Sequence, residues 1–212
     1  MTNLGNIIIA IDGPAASGKG TIAKKLSEYF GLPYLDSGLL YRIIASEVIG
    51  KNIDPLEKRS VIDLVKKINF GKSDLANLRN DNVSNVASIT AQYQEVRDIL
   101  LSYQRSFASN GIVMDGRDIG TVVFPNADYK FYITATLDER TNRRFLELSE
   151  QNSELDRNIV KNDINNRDQR DMLRKIAPLA KADDAIEVDT TFMKIDDVID
   201  FIVKYIHKDK KS

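Results

Sequence analysis

One short stretch limits this chain more than any other: IDGPAASGKGT, Ile11 to Thr21. It follows NIIIAID (6–12), a continuous β-branched run that reads as a strand buried on both faces. After it, Ile22, Ala23, Leu26 and Phe30 recur at helical spacing, and Gly31 supplies a C-terminal cap. Glycines between a buried strand and a helix N-terminus let backbone N–H groups converge, and the helix end adds partial positive charge. Such a loop is a socket for an anion. The spacing G-x-x-x-x-G-K, Gly13 to Lys19, places a lysine at its mouth, so Gly13, Pro14, Ala15, Ala16, Ser17, Gly18, Lys19, Gly20 and Thr21 are the candidate phosphate cradle. The plain alternative, a tight turn with a surface lysine, does not account for the strand before and the helix after. Gly20 stands where a serine or threonine often follows the lysine, so Thr21 is the hydroxyl left to serve a nucleotide-bound Mg²⁺, directly or through water.

The rest of the chain alternates in the same way. LPYLD (32–36), GIVMDG (111–116), DYKFYIT (128–134) and DAIEVDT (184–190) read as four further strands. Helical patterns lie at about 38–49, 96–109, 138–150, 156–174 and 195–206, and Thr136 with Glu139 forms a capping box. Strands alternating with helices predict an α/β fold, a five-stranded parallel sheet with helices on both faces. Residues 50–86, polar and poorly periodic, and the charge-dense 151–175 break that rhythm and read as insertions on the sheet. The expected organisation is a single domain over 1–212, with insertions at about 38–95 and about 151–175.

Composition removes whole classes of function. Lys plus Arg total 30 against 31 Asp plus Glu, a net charge of -1, which argues against a general nucleic-acid or anionic-membrane binder. Without cysteine there is no disulfide framework and no thiolate zinc site. The one histidine, His207, sits in a charged tail and reads as solvated, which leaves no basis for a His-rich metal site. No secretory signal and no apolar run of membrane-spanning length is visible, so the expectation is a cytoplasmic soluble protein, and nothing demands an oligomer.

A phosphate loop alone permits a kinase, an ATPase motor or a GTP switch. No N-K-x-D guanine-reading motif is present, and a motor usually needs a longer chain. Asp115, at the end of a strand in IVMDGRDIG, suits the organisation of Mg²⁺ and its waters, although a strand-end aspartate also serves turns. Arg167, Arg170 and Arg174 lie at i, i+3 and i+7 on one helix face, with Asp171 spaced to pair with Arg167 and Arg174. This is either a salt-bridged surface or a lid that closes cations over a transferring phosphoryl group, a reaction carried by positioning and charge neutralisation.

Four stretches together, IDGPAASGKGT, LDSGLLYR (35–42), DGRDIGTVVFPNAD (115–128) and RDQRDMLRKIAPLAKADDAIEVDT (167–190), resemble the bacterial cytidylate kinases, P-loop nucleoside monophosphate kinases. The resemblance runs from about residue 6 to 205 and is weak at 50–85. It implies transfer of the γ-phosphoryl group of Mg-ATP to CMP or dCMP. It implies that Ser37, Tyr41 and Arg42 meet the acceptor nucleotide, that Ser88 and Arg97 match a base-side serine and a phosphate-binding arginine, and that Arg117 holds the acceptor phosphate while Asp118 faces the pyrimidine or sugar. Arg167 and Arg170 then resemble lid arginines, and Asp171 and Arg174 acceptor-site residues. The catalytic set expected is Lys19, Asp115, Arg117, Arg167 and Arg170.

Two departures set conditions. Long-form relatives carry a strand-containing insert for which only about 69–85 stands here. Gln94 replaces the family's usual proline, and Ser88 and Arg97, nine residues apart, would point apart on one unbroken helix, so the assignment requires a break between about Ala91 and Gln94. Tyr29, Phe30, Tyr34, Phe131 and Tyr132 read as packing residues, and Arg140 and Arg144 as either hinge contacts or surface pairs with Asp138 or Glu147. The rival readings are a P-loop kinase for another small acceptor, such as UMP or shikimate, and a non-catalytic nucleotide sensor.

Overall fold

The computed structural model describes residues 6–72, 78, 80–149 and 155–209. Within them β1 (Ile8–Asp12), β2 (Tyr34–Asp36), β3 (Ile112–Gly116), β4 (Tyr129–Thr134) and β5 (Ile186–Asp189) form one parallel sheet in the order β2-β3-β1-β4-β5. These are the five strands expected, each beginning one or two residues later than the apolar run suggests. Parallel pairing needs crossover connections, and helices supply them. In β1 the side chains alternate: Ile9 and Ile11 pack on α1 (Lys19–Phe30) and α8 (Ile195–Asp209), while Ala10 joins Ile112 and Met114 on the other face. Burial on both faces is why the run is apolar throughout rather than alternating.

Helix ends follow local chemistry. Gly31 takes φ 65 and returns its N–H to Ser27 O, closing α1 as expected. Asp36 caps α2 (Ser37–Gly50) by accepting from Leu39 N at 3.1 Å. Thr136 Oγ1 accepts from Glu139 N at 3.4 Å where α6 (Leu137–Ser149) starts, and Asp156 caps α7 (Arg157–Leu173).

The 50–86 insertion is more ordered than its polarity suggests. It holds α3 (Lys58–Val65) and α4 (Asp81–Thr90), which pack with α2 and α5 (Gln94–Ser106) around a second core containing Ile44, Val48, Val61, Leu64, Val86, Val96 and Leu100. No strand is found there among the described residues; residues 73–77 and 79 of the 69–85 stretch, residue 150 and residues 151–154 of the lid region lie outside them. The break required between Ser88 and Arg97 is present: α4 stops at Thr90 and α5 starts at Gln94, with Gln92 N and Tyr93 N returning to Ile89 O and Thr90 O. His207 is half-buried rather than solvated, its ring edge-on to Tyr29 and Phe30. No described helix is long and apolar enough to cross a membrane.

Candidate active site

The carboxyl ends of β1, β2 and β3 open into one cavity of about 460 Å³ that also takes in α2, α4, α5 and α7. In open α/β sheets this is where strand order reverses and ligands sit. One wall is the loop from Ala15 to Thr21. Gly13 and Pro14 lie behind it. A Cβ at Gly13 would come within 2.0 Å of Ile133 O, so only glycine lets the loop pass β4. Pro14 O accepts from Lys19 Nζ at 3.0 Å, which parks the lysine inside its own loop. Asp115, at the end of β3, abuts the loop: a Cβ at Gly20 would sit 3.8 Å from its Oδ2.

The opposite wall is a lattice of arginines and carboxylates. Arg117 Nε donates to Asp171 Oδ2 at 2.8 Å, and Ser88 Oγ donates to Asp171 Oδ1 at 3.2 Å. Arg97 donates to Asp118, and its other amine reaches Ala91 O at 3.1 Å, the carbonyl freed by the helix break. Arg174 lies 3.7 Å from Asp118 and 3.8 Å from Asp171. The Arg97 guanidinium stands 5.6 Å from the Tyr41 ring centroid. Arg42 Nη2 meets Asp36 Oδ2 at 2.5 Å, and Ser37 begins α2 so close to β3 that a Cβ at Gly116 would fall 2.4 Å from its Oγ.

Thus Ser37, Tyr41, Arg42, Ser88, Arg97, Arg117, Asp118, Arg167, Asp171 and Arg174 all line one cavity with Lys19, Thr21 and Asp115. Arg170 does not line it; it is half-buried on α7, with its Nε lacking a hydrogen-bond partner. Asp171 pairs with Arg117 and Arg174 rather than with Arg167, because the loop after β3 brings Arg117 closer than helical spacing brings Arg167. Arg140 does not pair with Asp138; it is buried against Asp168, while Arg144 meets Asp81 and Glu147. Sequence reasoning missed Tyr34, whose hydroxyl donates to Asp115 Oδ1 at 2.8 Å, and Asp36. It also passed over Asp12, which accepts from Ile119 N at 2.8 Å and Gly120 N at 2.7 Å and so fixes the turn carrying Arg117 and Asp118. Asp12 and Asp36 bear the same signal as Asp115, a carboxylate at the carboxyl end of a strand.

Comparison with known proteins bears on this arrangement directly. The cytidylate kinase family model matches residues 9–208. The chain belongs to the cytidylate kinase family. Among its relatives, the cytidylate kinase of Methylocella silvestris is 44% identical over 192 residues, 90% of this chain and 89% of that one. That of Fusobacterium nucleatum is 43% identical over 220 residues, covering 97% and 99%. A crystal structure of an uncharacterized protein from Eubacterium ventriosum shares the fold, with a TM-score of 0.51 at 18% identity over 95% of this chain and 98% of that one.

In this cytidylate kinase family member the cavity carries uncompensated positive charge. Burial, with Arg117 nearby, lowers the Arg167 guanidinium from its usual range to about 10, and its Nε has no hydrogen-bond partner. Burial and Arg117 also depress Lys19, against the opposing pull of Asp115 and Asp36. Burial raises Asp115, helped by Asp36 across the β2–β3 pair. For Asp171 burial pushes the other way but is outweighed by Arg117 and Arg174, and its carboxyl is held low. Burial raises the Tyr41 phenol to about 12, so it stays a neutral donor. Buried cations crowded against one another are unfavourable alone and favourable once an anion enters.

Proposed function

We propose that the chain transfers the γ-phosphoryl group of Mg-ATP to CMP or dCMP, giving ADP and the pyrimidine diphosphate. The observation that carries this reading is a phosphate loop and an arginine set, Arg42, Arg97, Arg117, Arg167 and Arg174, facing each other across one cavity. Two phosphate groups cannot approach without several cations between them, and guanidinium forks match phosphate oxygens. On this reading Ala15 to Thr21 cradle the donor phosphates, with Gly13 and Pro14 shaping the loop. Lys19 leaves Pro14 O for the β and γ oxygens. Arg42, Arg97 and Arg117 grip the acceptor phosphate. Arg167 lies over the phosphoryl group in flight, and Arg170 joins it on closure of the lid. Ser37 and Tyr41 meet the acceptor nucleotide, and Ser88, Asp118, Asp171 and Arg174 its base and sugar; a carboxylate and a hydroxyl suit cytosine, which offers an N4 amino donor beside ring acceptors.

Thr21 and Asp115 are the protein oxygens suited to Mg²⁺, a hard cation that keeps several waters and binds mainly through nucleotide phosphates. Two oxygen donors at the loop's mouth fit such an ion. When bound, the ion offsets phosphate charge. The acceptor phosphate is already anionic and needs no general base, so the residues align, neutralise and exclude water, a competing acceptor. We place the reaction in the cytoplasm with the chain as a monomer, small nucleotides as its only partners and no membrane or nucleic acid.

The test is ADP release with Mg-ATP across CMP, dCMP, UMP, AMP, GMP and no acceptor. Turnover with CMP and dCMP far above the rest is expected. Turnover with UMP or AMP instead would move the base-reading assignments, and ATP binding without acceptor-dependent turnover would favour a sensor.

A further inference from the structure

The stretch RDQRDMLR (167–174) contains an aspartate to which none of these roles applies. Asp168 on α7 and Arg140 on α6 are 3% and 7% exposed, and they meet on the donor loop itself. Asp168 Oδ1 accepts from the Ala15 N–H at 2.9 Å. Arg140 Nη1 donates to Ala15 O at 3.0 Å and to Asp168 Oδ2, and its Nε donates to Ala135 O at 3.0 Å, just past β4. Both polar groups of one loop residue are therefore held by side chains from two helices. The next residue, Ala16, sits at φ 57, a left-handed conformation that a non-glycine residue keeps only when its surroundings hold it there. Beneath the pair, Ala15, Val160 and Ile164 pack with Leu137 and Phe145.

Stability alone explains the pair poorly. A buried ion pair costs about as much in desolvation as it returns, and apolar residues of like volume often serve as well. Placement explains it better. Arg167 is the residue before Asp168, and Asp171, which holds Arg117, lies one turn on. Whatever pins Asp168 to the loop sets where those charges stand relative to Lys19. A one-residue slip of α7 would carry them about 1.5 Å along the helix and turn them by roughly 100°.

We propose that Asp168 and Arg140 are positioning residues, a latch that fixes the register of α7 against the donor loop so that Arg167 and the Arg117–Asp171 pair face the phosphates at the separation transfer requires. This rests on the phosphoryl-transfer reading above.

Three variants test it: Asp168→Asn; Asp168→Asn with Arg140→Met, which removes both charges; and Lys161→Ala, which breaks an exposed α7–α6 pair with Asp138 (2.7 Å) away from the loop. For each, kcat, both KM values, ATP affinity by equilibrium dialysis and melting temperature are measured. Asp168→Asn should lower kcat about a hundredfold, the scale of a 1 Å misplacement, with ATP affinity within about threefold. The double variant should regain melting temperature but not kcat, and Lys161→Ala should behave as the unaltered enzyme. Recovery of kcat together with melting temperature, or loss of ATP affinity in step with kcat, would overturn the latch. Arg140→Lys keeps the charge but not the fork; if Asp168→Asn does not fold, it is held to the same expected loss of kcat and the same ATP affinity. Absence of CMP-dependent turnover in the unaltered enzyme defeats the functional reading instead, whereas undiminished turnover in the variants defeats the latch alone.

Discussion

The two walls of the cavity are built on opposite terms. The donor wall is backbone: a glycine-bearing loop between β1 and α1, with Lys19 held on Pro14 O and both polar groups of Ala15 satisfied. Among the described residues of that wall only the Ser17 hydroxyl is buried without a partner. The acceptor wall is side chain: guanidiniums spaced by Asp36, Asp118 and Asp171, with Arg42 Nε, Arg167 Nε and Arg174 Nη2 all buried and without a hydrogen-bond partner. One wall is complete before anything binds. The other holds a charge surplus that an anion would relieve.

The contrast can be broken at several points. Lys19→Ala removes the side chain proposed to leave Pro14 O for the phosphates, and turnover should fall by roughly a hundred- to a thousandfold, the usual loss for a charge-stabilising donor. Near-normal steady-state turnover would remove the loop from the chemistry. Arg167→Met should cost about a hundredfold in kcat while raising the melting temperature by about 2–4 °C, the shift that ~1 kcal/mol produces in a chain of this size. A variant both slower and less stable would show that the surplus is compensated in the free protein. Asp118→Asn should raise KM for CMP about tenfold, roughly one charged hydrogen bond, and leave KM for ATP within twofold. Equal effects on both substrates would erase the division between the walls.

The smallest expected effect on turnover, but a measurable one on stability, comes from Asp12. Burial raises its carboxyl from 3.8 to about 6 despite the opposing Ile119 and Gly120 N–H groups. The folded state therefore holds a proton there that the unfolded chain releases, and this group's contribution to stability declines as pH rises through that window. The stability of the unaltered protein relative to Asp12→Asn should drop by about 2 kcal/mol between pH 4 and 7. Parallel pH profiles in denaturant unfolding would contradict it.

The same contrast governs what could be read from sequence. The donor wall is local: a buried strand, a loop and a helix in unbroken succession, so Gly13 to Thr21 and Gly31 declare their parts by spacing. Strands β1, β3 and β4 were equally plain, because apolar runs buried on both faces admit few alternatives. The acceptor wall depends on which residues a folded chain brings together. Spacing put Asp171 beside Arg167, but the loop after β3 delivers Arg117 instead. The break between Ser88 and Arg97 followed from nine residues being the wrong interval for one face of a helix, and it is there at residues 91–93. Helices α3 and α4 were hidden because few apolar positions, among them Val61, Leu64, Val83 and Val86, serve a small core amid polar residues. Asp168 was unreadable in role, since its partners lie 28 and 153 residues away.

The central claim is that the phosphoryl group passes from one nucleotide to another and not to water. Phosphorus NMR of Mg-ATP and CMP incubated with the protein follows this directly. The account predicts one ADP and one CDP for each ATP consumed, with no inorganic phosphate above the enzyme-free control. Inorganic phosphate accumulating in place of CDP, or no consumption of ATP, would contradict it.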